Sequence, residues 1–536
     1  MTPPTTTASP PGGSYDTPRF VTLSADETAT IYYTTDGTNP DVNSGTYAAP
    51  IPITATTILK FFARDAVGNS ESIKTEVYSI LGYGWTVRMG DADYDFGNAV
   101  STDPSGNIYA TGNFYGTVDF GADFGTSDSK TALGYYDVFV TRVNSNGSYG
   151  WTRRIGDTAA NDWGRGITAD RFGNIYVTGR FDDTVNFGAD FGEVDSKVSA
   201  GQYDIFVTKI NSNGSYGWTR HMGGSDEDDG HGITTDPVGN IYVTGYFSGT
   251  VDFDFGAGTD LKTSAGWHDI FVTKINSNGS YGWTRQMGGS WDDAGLAITA
   301  DQSGNVYLTG HFYDTVDFDF GAGTDLKTAN GQDIFVTRVN SNGSYGWTRQ
   351  IGDYEGRGIT ADQSGNICLI GSFLGTVDFG ADFGTSDSRT AWGGQDIFVT
   401  RIDSNGNYGW TRQIGGTNFD YGNAITSDPS GNIYAAGSFA DTVDFGLDFG
   451  TSDSKTSAGS SDIFITRINP DGTYGWTRQM GASQGDGGYG IARDVSGNFY
   501  LTGRFESTVN FGADFGIVDN KTSAGDYDIF ITKVIP

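Results

Sequence analysis

The string Tyr-Gly-Trp-Thr occurs seven times, with its tryptophan at Trp85, Trp151, Trp218, Trp283, Trp347, Trp410 and Trp476, at spacings of 63 to 67 residues. A fixed period of this length means one supersecondary unit stacked on copies of itself, because a lone unit cannot bury its apolar face. In the second unit the runs are Gly166-Ile-Thr-Ala-Asp170, Asn174-Ile-Tyr-Val-Thr-Gly-Arg-Phe181, Asp204-Ile-Phe-Val-Thr-Lys-Ile210 and Ser215-Tyr-Gly-Trp-Thr-Arg220. Short runs rich in β-branched and aromatic residues, broken by Gly, Asn and Asp, predict four strands, A to D. Glycine supplies 81 of 536 residues and charged residues only 18%, which disfavours long helices.

Between A and B the turn Asp-x-x-Gly-Asn starts at Asp103, Asp170, Asp236, Asp301, Asp362, Asp428 and Asp494. Its Asp can cap the turn and its Gly supplies positive φ, so the motif reads as scaffold. The Asn146-Gly-Ser148 sequon and its relatives in the C–D turns read the same way. Four strands repeated seven times predict an all-β chain whose residues 81–536 form a seven-bladed β-propeller. The region opens on a lone D run, residues 83–88, and ends on a C run, residues 528–534. The first is therefore expected to complete the last blade, closing the ring and removing an open edge.

The motifs Ser-Gly-Asn-Ile-Tyr-x-x-Gly, Thr-Val-Asp-Phe-Gly, and Thr-Ser-Ala-Gly before Asp-Ile-Phe-Val-Thr-Lys resemble the bacterial β-propeller repeats called SBBP repeats. That resemblance implies an extracellular or cell-surface protein. The long B–C insert, Asp119-Phe-Gly-Ala-Asp-Phe-Gly-Thr-Ser-Asp128, departs from the family pattern. Residues 1–80 differ: Phe20-Val-Thr-Leu-Ser, Ala29-Thr-Ile-Tyr-Tyr-Thr-Thr-Asp-Gly-Thr38 and Thr57-Ile-Leu-Lys-Phe-Phe-Ala-Arg-Asp65 alternate like strands of a sandwich. They resemble the immunoglobulin-like C-terminal domain of chitobiase and β-hexosaminidase enzymes, which implies an accessory module without catalytic residues.

A formal charge of −33 argues against nucleic acid and anionic lipid as partners. No apolar run is long enough to span a bilayer, and residues 1–13 lack the pattern of a signal peptide, so either a signal has been removed or the chain is a piece of a longer one, and a larger parent chain or assembly is expected. Cys368, the one cysteine, stands at a position that is Tyr in the other units and reads as a buried filler.

In a repeat protein the positions that vary are where binding is sought. The D–A and B–C connections share one face of the propeller and carry the variation. Four tryptophans outside the repeat, Trp163 and Trp291 in D–A loops and Trp267 and Trp392 before C strands, are expected there, with His231, His268 and His311. One residue after the glycine that opens strand A stand Asn98, Arg165, His231, Leu296, Arg357, Asn423 and Tyr489. Two before it stand Asp95, Asp162, Asp228, Asp293, Asp420 and Asp486, expected to ring the channel mouth. Asp91, Asp93 and Asp95 alternate as calcium ligands do, and the Asp119/Asp123/Asp128 and Asp252/Asp254/Asp260 sets repeat the idea, although the glycine and glutamate of an EF-hand loop are missing. Calcium is the one cofactor considered. The sequence thus points to a non-enzymatic adhesion or scaffolding module that offers this face to a protein partner. A lectin-like binder of surface glycans is the alternative, and a carbohydrate-active enzyme the third.

Overall fold

The structure is a computed structural model and describes residues 3–15, 19–53, 57–80, 82–157 and 161–535. Its contacts form two compact units, one of residues 1–85 with 512–517 and 533–536, the other of residues 86–511 and 518–532. In the first, a three-stranded sheet (Thr6–Ser9, Arg19–Ala25, Ile51–Ile53) accompanies a five-stranded one (Gly13–Tyr15, Lys74–Ile80, Thr57–Asp65, Ala29–Thr34, Gly45–Thr46). Alternation along Arg19–Ala25 buries Val21 and Leu23, which join Ile31, Ile53, Leu59, Phe61 and Tyr78 in one core. This is the alternation expected of a sandwich.

The second unit is an all-β propeller of four-stranded antiparallel sheets, seven among the described residues. Sheet 2 shows the pattern: A is Trp163–Ala169, B Ile175–Phe181, C Asp204–Ile210 and D Tyr216–Met222. Sheet 7 consists of Gly487–Arg493, Phe499–Phe505, Asp528–Ile535 and, as its D strand, Gly82–Met89 from the start of the repeat region. The C–D pairing in each sheet carries a Thr–Thr hydrogen bond, Thr208–Thr219 at 2.9 Å in sheet 2 and Thr86–Thr532 at 2.7 Å in sheet 7. Each A strand lies against the A strands of its two neighbours, the first against the last. The A strands thus form a closed inner ring.

Strand C explains how the sheets adhere. Ile205 and Val207 point into the core shared with sheet 3, and Phe206 and Ile210 into the core shared with sheet 1. Both faces of the strand are buried, which is why it reads as a continuous apolar run. In the A–B turn Asp103 Oδ1 accepts from Ser105 N at 2.8 Å and Asn107 N at 3.0 Å, while Asn107 Nδ2 and Tyr109 Oη donate to Oδ2. In sheet 5 Cys368 replaces that tyrosine, and Arg401 Nη2 donates to Asp362 at 2.9 Å instead. The Cys368 thiol is buried and pushed up to about 12 by burial, as befits an inert filler. Asn146 Oδ1 accepts from Ser148 N and Oγ, so the sequon asparagine serves its own turn.

Candidate functional site

In every sheet the A–B register slips once, and the extra residue is Asn98, Arg165, His231, Leu296, Arg357, Asn423 or Tyr489. A β-bulge leaves one residue without a cross-strand partner and re-aims its side chain. The bulge needs room, and the glycine of strand B provides it. A Cβ on Gly112 would stand 1.8 Å from Phe96 O, one on Gly179 1.8 Å from Trp163 O, and one on Gly437 1.9 Å from Tyr421 O. The glycine in Ser-Gly-Asn-Ile-Tyr-x-x-Gly is thus demanded by the bulge opposite.

The bulges gather the variable side chains. Asn98, Arg165, His231, Leu296, Arg357 and Tyr489 line one cavity of about 530 Å³, with Tyr246, His268, Asp292, Ala294, His311 and Glu355 completing its wall. Asn423 joins indirectly, accepting from Arg357 Nη1 at 3.1 Å. Two of the ring residues also tie sheets together: Asn98 Nδ2 donates to Gly164 O at 2.8 Å and Asn423 Nδ2 to Gly488 O at 2.9 Å.

Nearly every charge in the wall has a counter-charge. Buried Asp229 accepts from Arg165 Nη2 at 3.0 Å and lies 3.5 Å from His231 Nε2 and 3.6 Å from Arg180. Burial alone would raise its carboxyl, but Arg165, His231 and Arg180 beside it hold it well below the usual range. Arg357 Nε donates to Glu355 at 2.9 Å. His268 Nδ1 bonds Asp292, which outweighs burial and holds the imidazole above its ordinary value; the same bond lowers Asp292. His311, by contrast, is pushed below its ordinary value by burial, and its Nδ1 lies 4.0 Å from Glu355. The Tyr246 ring lies 4.5 Å from that of His268.

Several expected site residues have other roles. Trp163 is the first residue of strand A rather than part of a loop, and its indole packs beneath Arg165 at 4.5 Å and Arg180 at 5.1 Å. Trp267 and Trp291 stand over half exposed with ring centres 6.2 Å apart, and Trp392 is 42% exposed with no such neighbour ring among the described residues. The six aspartates do not ring a channel mouth. Each is buried and clamps two loops: Asp228 accepts from Gly224 N at 2.7 Å and Ser248 N at 3.0 Å, Asp293 from Gly289 N and Tyr313 N. Shortened sheet 5 lacks this clamp and turns through positive φ at Asp353 and Tyr354 instead.

The same geometry gives the carboxylates of Asp91 and Asp95 structural partners. Asp95 accepts from Asp91 N and Tyr115 N, and Asp91 from Asp93 N and Thr117 N, so these oxygens hold backbone. In the inserts, Asp119 accepts from Gly121 N and Asp128 N, Asp128 pairs with Lys130, and Asp123 with Lys521. Asp252 likewise accepts from Asp254 N and Asp260 N, and Asp260 pairs with Lys262. Among the described residues no three His, Cys, Asp or Glu side chains come together in a way that could hold a metal ion.

The clamps predict a pH dependence. Burial, opposed by the N–H donors, pushes Asp95 up to about 8 and Asp228, Asp293, Asp420 and Asp486 up to about 7. The folded chain then keeps protons that the unfolded chain has released above about pH 4, so stability falls as pH rises from 4 to 8. A melting temperature about 5 °C or more higher at pH 5 than at pH 8 is expected by calorimetry; a flat or opposite trend would refute it.

Tyr246, Asp292 and Glu355 escaped the sequence reading, which had placed His311 on this face. Two columns flank the invariant glycines: Glu355 opens strand A, and Tyr246, like His311, follows the glycine of strand B, while Asp292 lies in the D–A loop outside both. Both columns vary from sheet to sheet, through Phe96, Trp163, Asp229, Ala294, Glu355, Tyr421 and Gly487 in the first. That variation was the available signal.

Comparisons with known proteins agree with this architecture. The Beta-propeller repeat family model matches residues 84–113, 150–180, 217–246, 282–311 and 409–438, and the Chitobiase/beta-hexosaminidase C-terminal domain model matches residues 10–75. The chain therefore carries SBBP-type propeller repeats behind an immunoglobulin-like domain. Each matched repeat runs from strand D across the bulge to just past the strand B glycine. An uncharacterized WD repeat-containing protein of Acanthamoeba polyphaga mimivirus is 24% identical over 79% of this chain and 31% of its own length. The regulatory protein FlaEY of Caulobacter vibrioides is 23% identical over 72% of this chain and 40% of its own. The chain thus spans less than half the length of the curated relatives it matches. Among solved structures, the Dos1 propeller aligns over 84% of this chain and 95% of that chain, at 8% identity and a TM-score of 0.39.

Proposed function

We propose that this chain is a non-enzymatic adhesion or scaffolding module of an extracellular or cell-surface protein, and that it receives a protein partner on the D–A/B–C face of its propeller. The observation that carries the reading is the contrast between the two faces. The A–B and C–D turns repeat one hydrogen-bond pattern and among the described residues expose one aromatic ring, Phe172, whereas the loop face holds the variable cavity and the exposed rings of Trp267, Trp291, Trp392 and Phe419. Exposed aromatics on one face are the residues that anchor interfaces. The non-enzymatic part rests on the clamping aspartates, whose oxygens are committed to backbone N–H groups and so make poor acid–base pairs for glycoside cleavage.

A photo-crosslinking residue placed at Trp291, with the same residue at Ser212 in a C–D turn as control, tests this. With the envelope fraction of the organism that makes the protein, adducts are expected from position 291 and not from 212. Equal yields from both positions would overturn it. A lectin-like reading is favoured by one observation, the side-by-side Trp267–Trp291 pair, whose faces suit the C–H face of a sugar ring. Turnover of a glycan panel would displace both readings in favour of an enzyme.

A further inference from the structure

Four features of the loop face were candidates for a ligand: the central cavity, the Trp267–Trp291 pair, the grooves between sheets 2, 3 and 4, and the acidic inserts. The grooves beside Lys197 and Lys262 recur at equivalent positions of successive sheets, as scaffold does. The insert carboxylates are engaged with backbone and lysine. The cavity differs from both, because it does not recur and its wall is assembled from six sheets.

We infer that this cavity binds one neutral sugar unit, the end of a glycan carried by the partner, in contact with His231, Tyr246, Glu355, Arg357 and Tyr489. The inference rests on the loop face being the recognition face. Its first support is charge. Arg165 is matched by Asp229, Arg357 by Glu355 and His268 by Asp292. An anionic ligand would meet carboxylates whose cations are already engaged, and a cationic one the reverse.

The second support is hydrogen-bonding chemistry. Each sugar hydroxyl both donates and accepts. Asp292 and Glu355 offer acceptors, while the guanidinium groups of Arg165 and Arg357 keep donors beyond those their carboxylates use. His231 and His311 stand in the same wall, each turning one ring nitrogen toward a carboxylate, Asp229 at 3.5 Å and Glu355 at 4.0 Å. The third support is shape. A space of about 530 Å³ at the middle of the inner ring admits a compact unit rather than a passing strand, and the half-buried rings of Tyr246 and Tyr489 stand in its wall for stacking.

Titration calorimetry of the intact chain against neutral mono- and disaccharides, uronic acids and short peptides tests this. At least one neutral sugar is expected to bind, and Arg357→Gln to weaken it tenfold or more. Leu296→Trp, which fills the cavity from a bulge without changing charge, is expected to abolish binding while Ser212→Ala leaves it unchanged. Each variant's melting curve shows whether it folds. Binding only of uronates or peptides, or binding that survives Leu296→Trp in a folded protein, would overturn the inference. So would a blank sugar panel, and if crosslinks from position 291 persist in that case, the cavity assignment falls while the recognition face stands.

Discussion

Excising residues 82–89 is expected to lower the melting temperature of the propeller by about 10 °C or more, or to abolish its cooperative transition. Gly82–Met89 is the D strand of sheet 7 although it lies more than 400 residues from its partner strand, Asp528–Ile535. Within that sheet Val87 and Met89 are buried, Thr86 bonds Thr532, and Arg88 Nη1 donates to the buried Asp528 carboxylate at 2.6 Å. Losing two buried apolar side chains costs roughly 2–5 kcal/mol each, and stripping Arg88 from Asp528 leaves a buried carboxylate without its cation. The edge of the C strand would also lie open to pair with other chains. Calorimetry with light scattering reads both effects. An unchanged melting curve would show that the ring does not depend on this strand.

Replacing Gly437 by Ala is expected to cost about 4 kcal/mol or more, whereas Ala at Gly384 costs about 1 kcal/mol. The two glycines separate two reasons for having no side chain. Gly384 has φ +74 and nothing within 4 Å of an added Cβ, so only backbone strain opposes substitution. Gly437 faces the bulge of its own sheet, where the new methyl would lie 1.9 Å from Tyr421 O and 2.9 Å from Phe464 Cε1. Neither neighbour is a flexible side-chain end, so strand A must move. Denaturant unfolding of the two variants gives the comparison, and equal costs would mean that the bulge yields easily.

The period was legible because every sheet buries the same strands in the same way, so selection for packing writes one pattern seven times. Ring closure was legible because an unpaired D run at one end and an unpaired C run at the other imply each other. The aspartates of the D–A loops were located correctly along the chain but misread in role. Spacing places Asp228 beside the glycine of strand A, yet nothing in a column of letters says that its oxygens face Gly224 N and Ser248 N. Trp163 was placed in a loop because the bulge lengthens strand A by one residue and hides where it begins. The cavity was half legible. Its bulge residues vary visibly, but the pairing of Glu355 with Arg357 and of His268 with Asp292 depends on how adjacent sheets meet.

The bulge carries a consequence for how such proteins diversify. A residue paired across a strand is judged by its partner, so changing it disturbs the sheet. A bulged residue has no such partner and, except where it bonds the next sheet as Asn98 and Asn423 do, answers mainly to whatever occupies the space before it. Six of these positions stand around one opening, each backed by a glycine that keeps its place free. Point mutations there can rewrite what the protein holds while the fold stays silent, so relatives with near-identical repeats can part company in what they recognise.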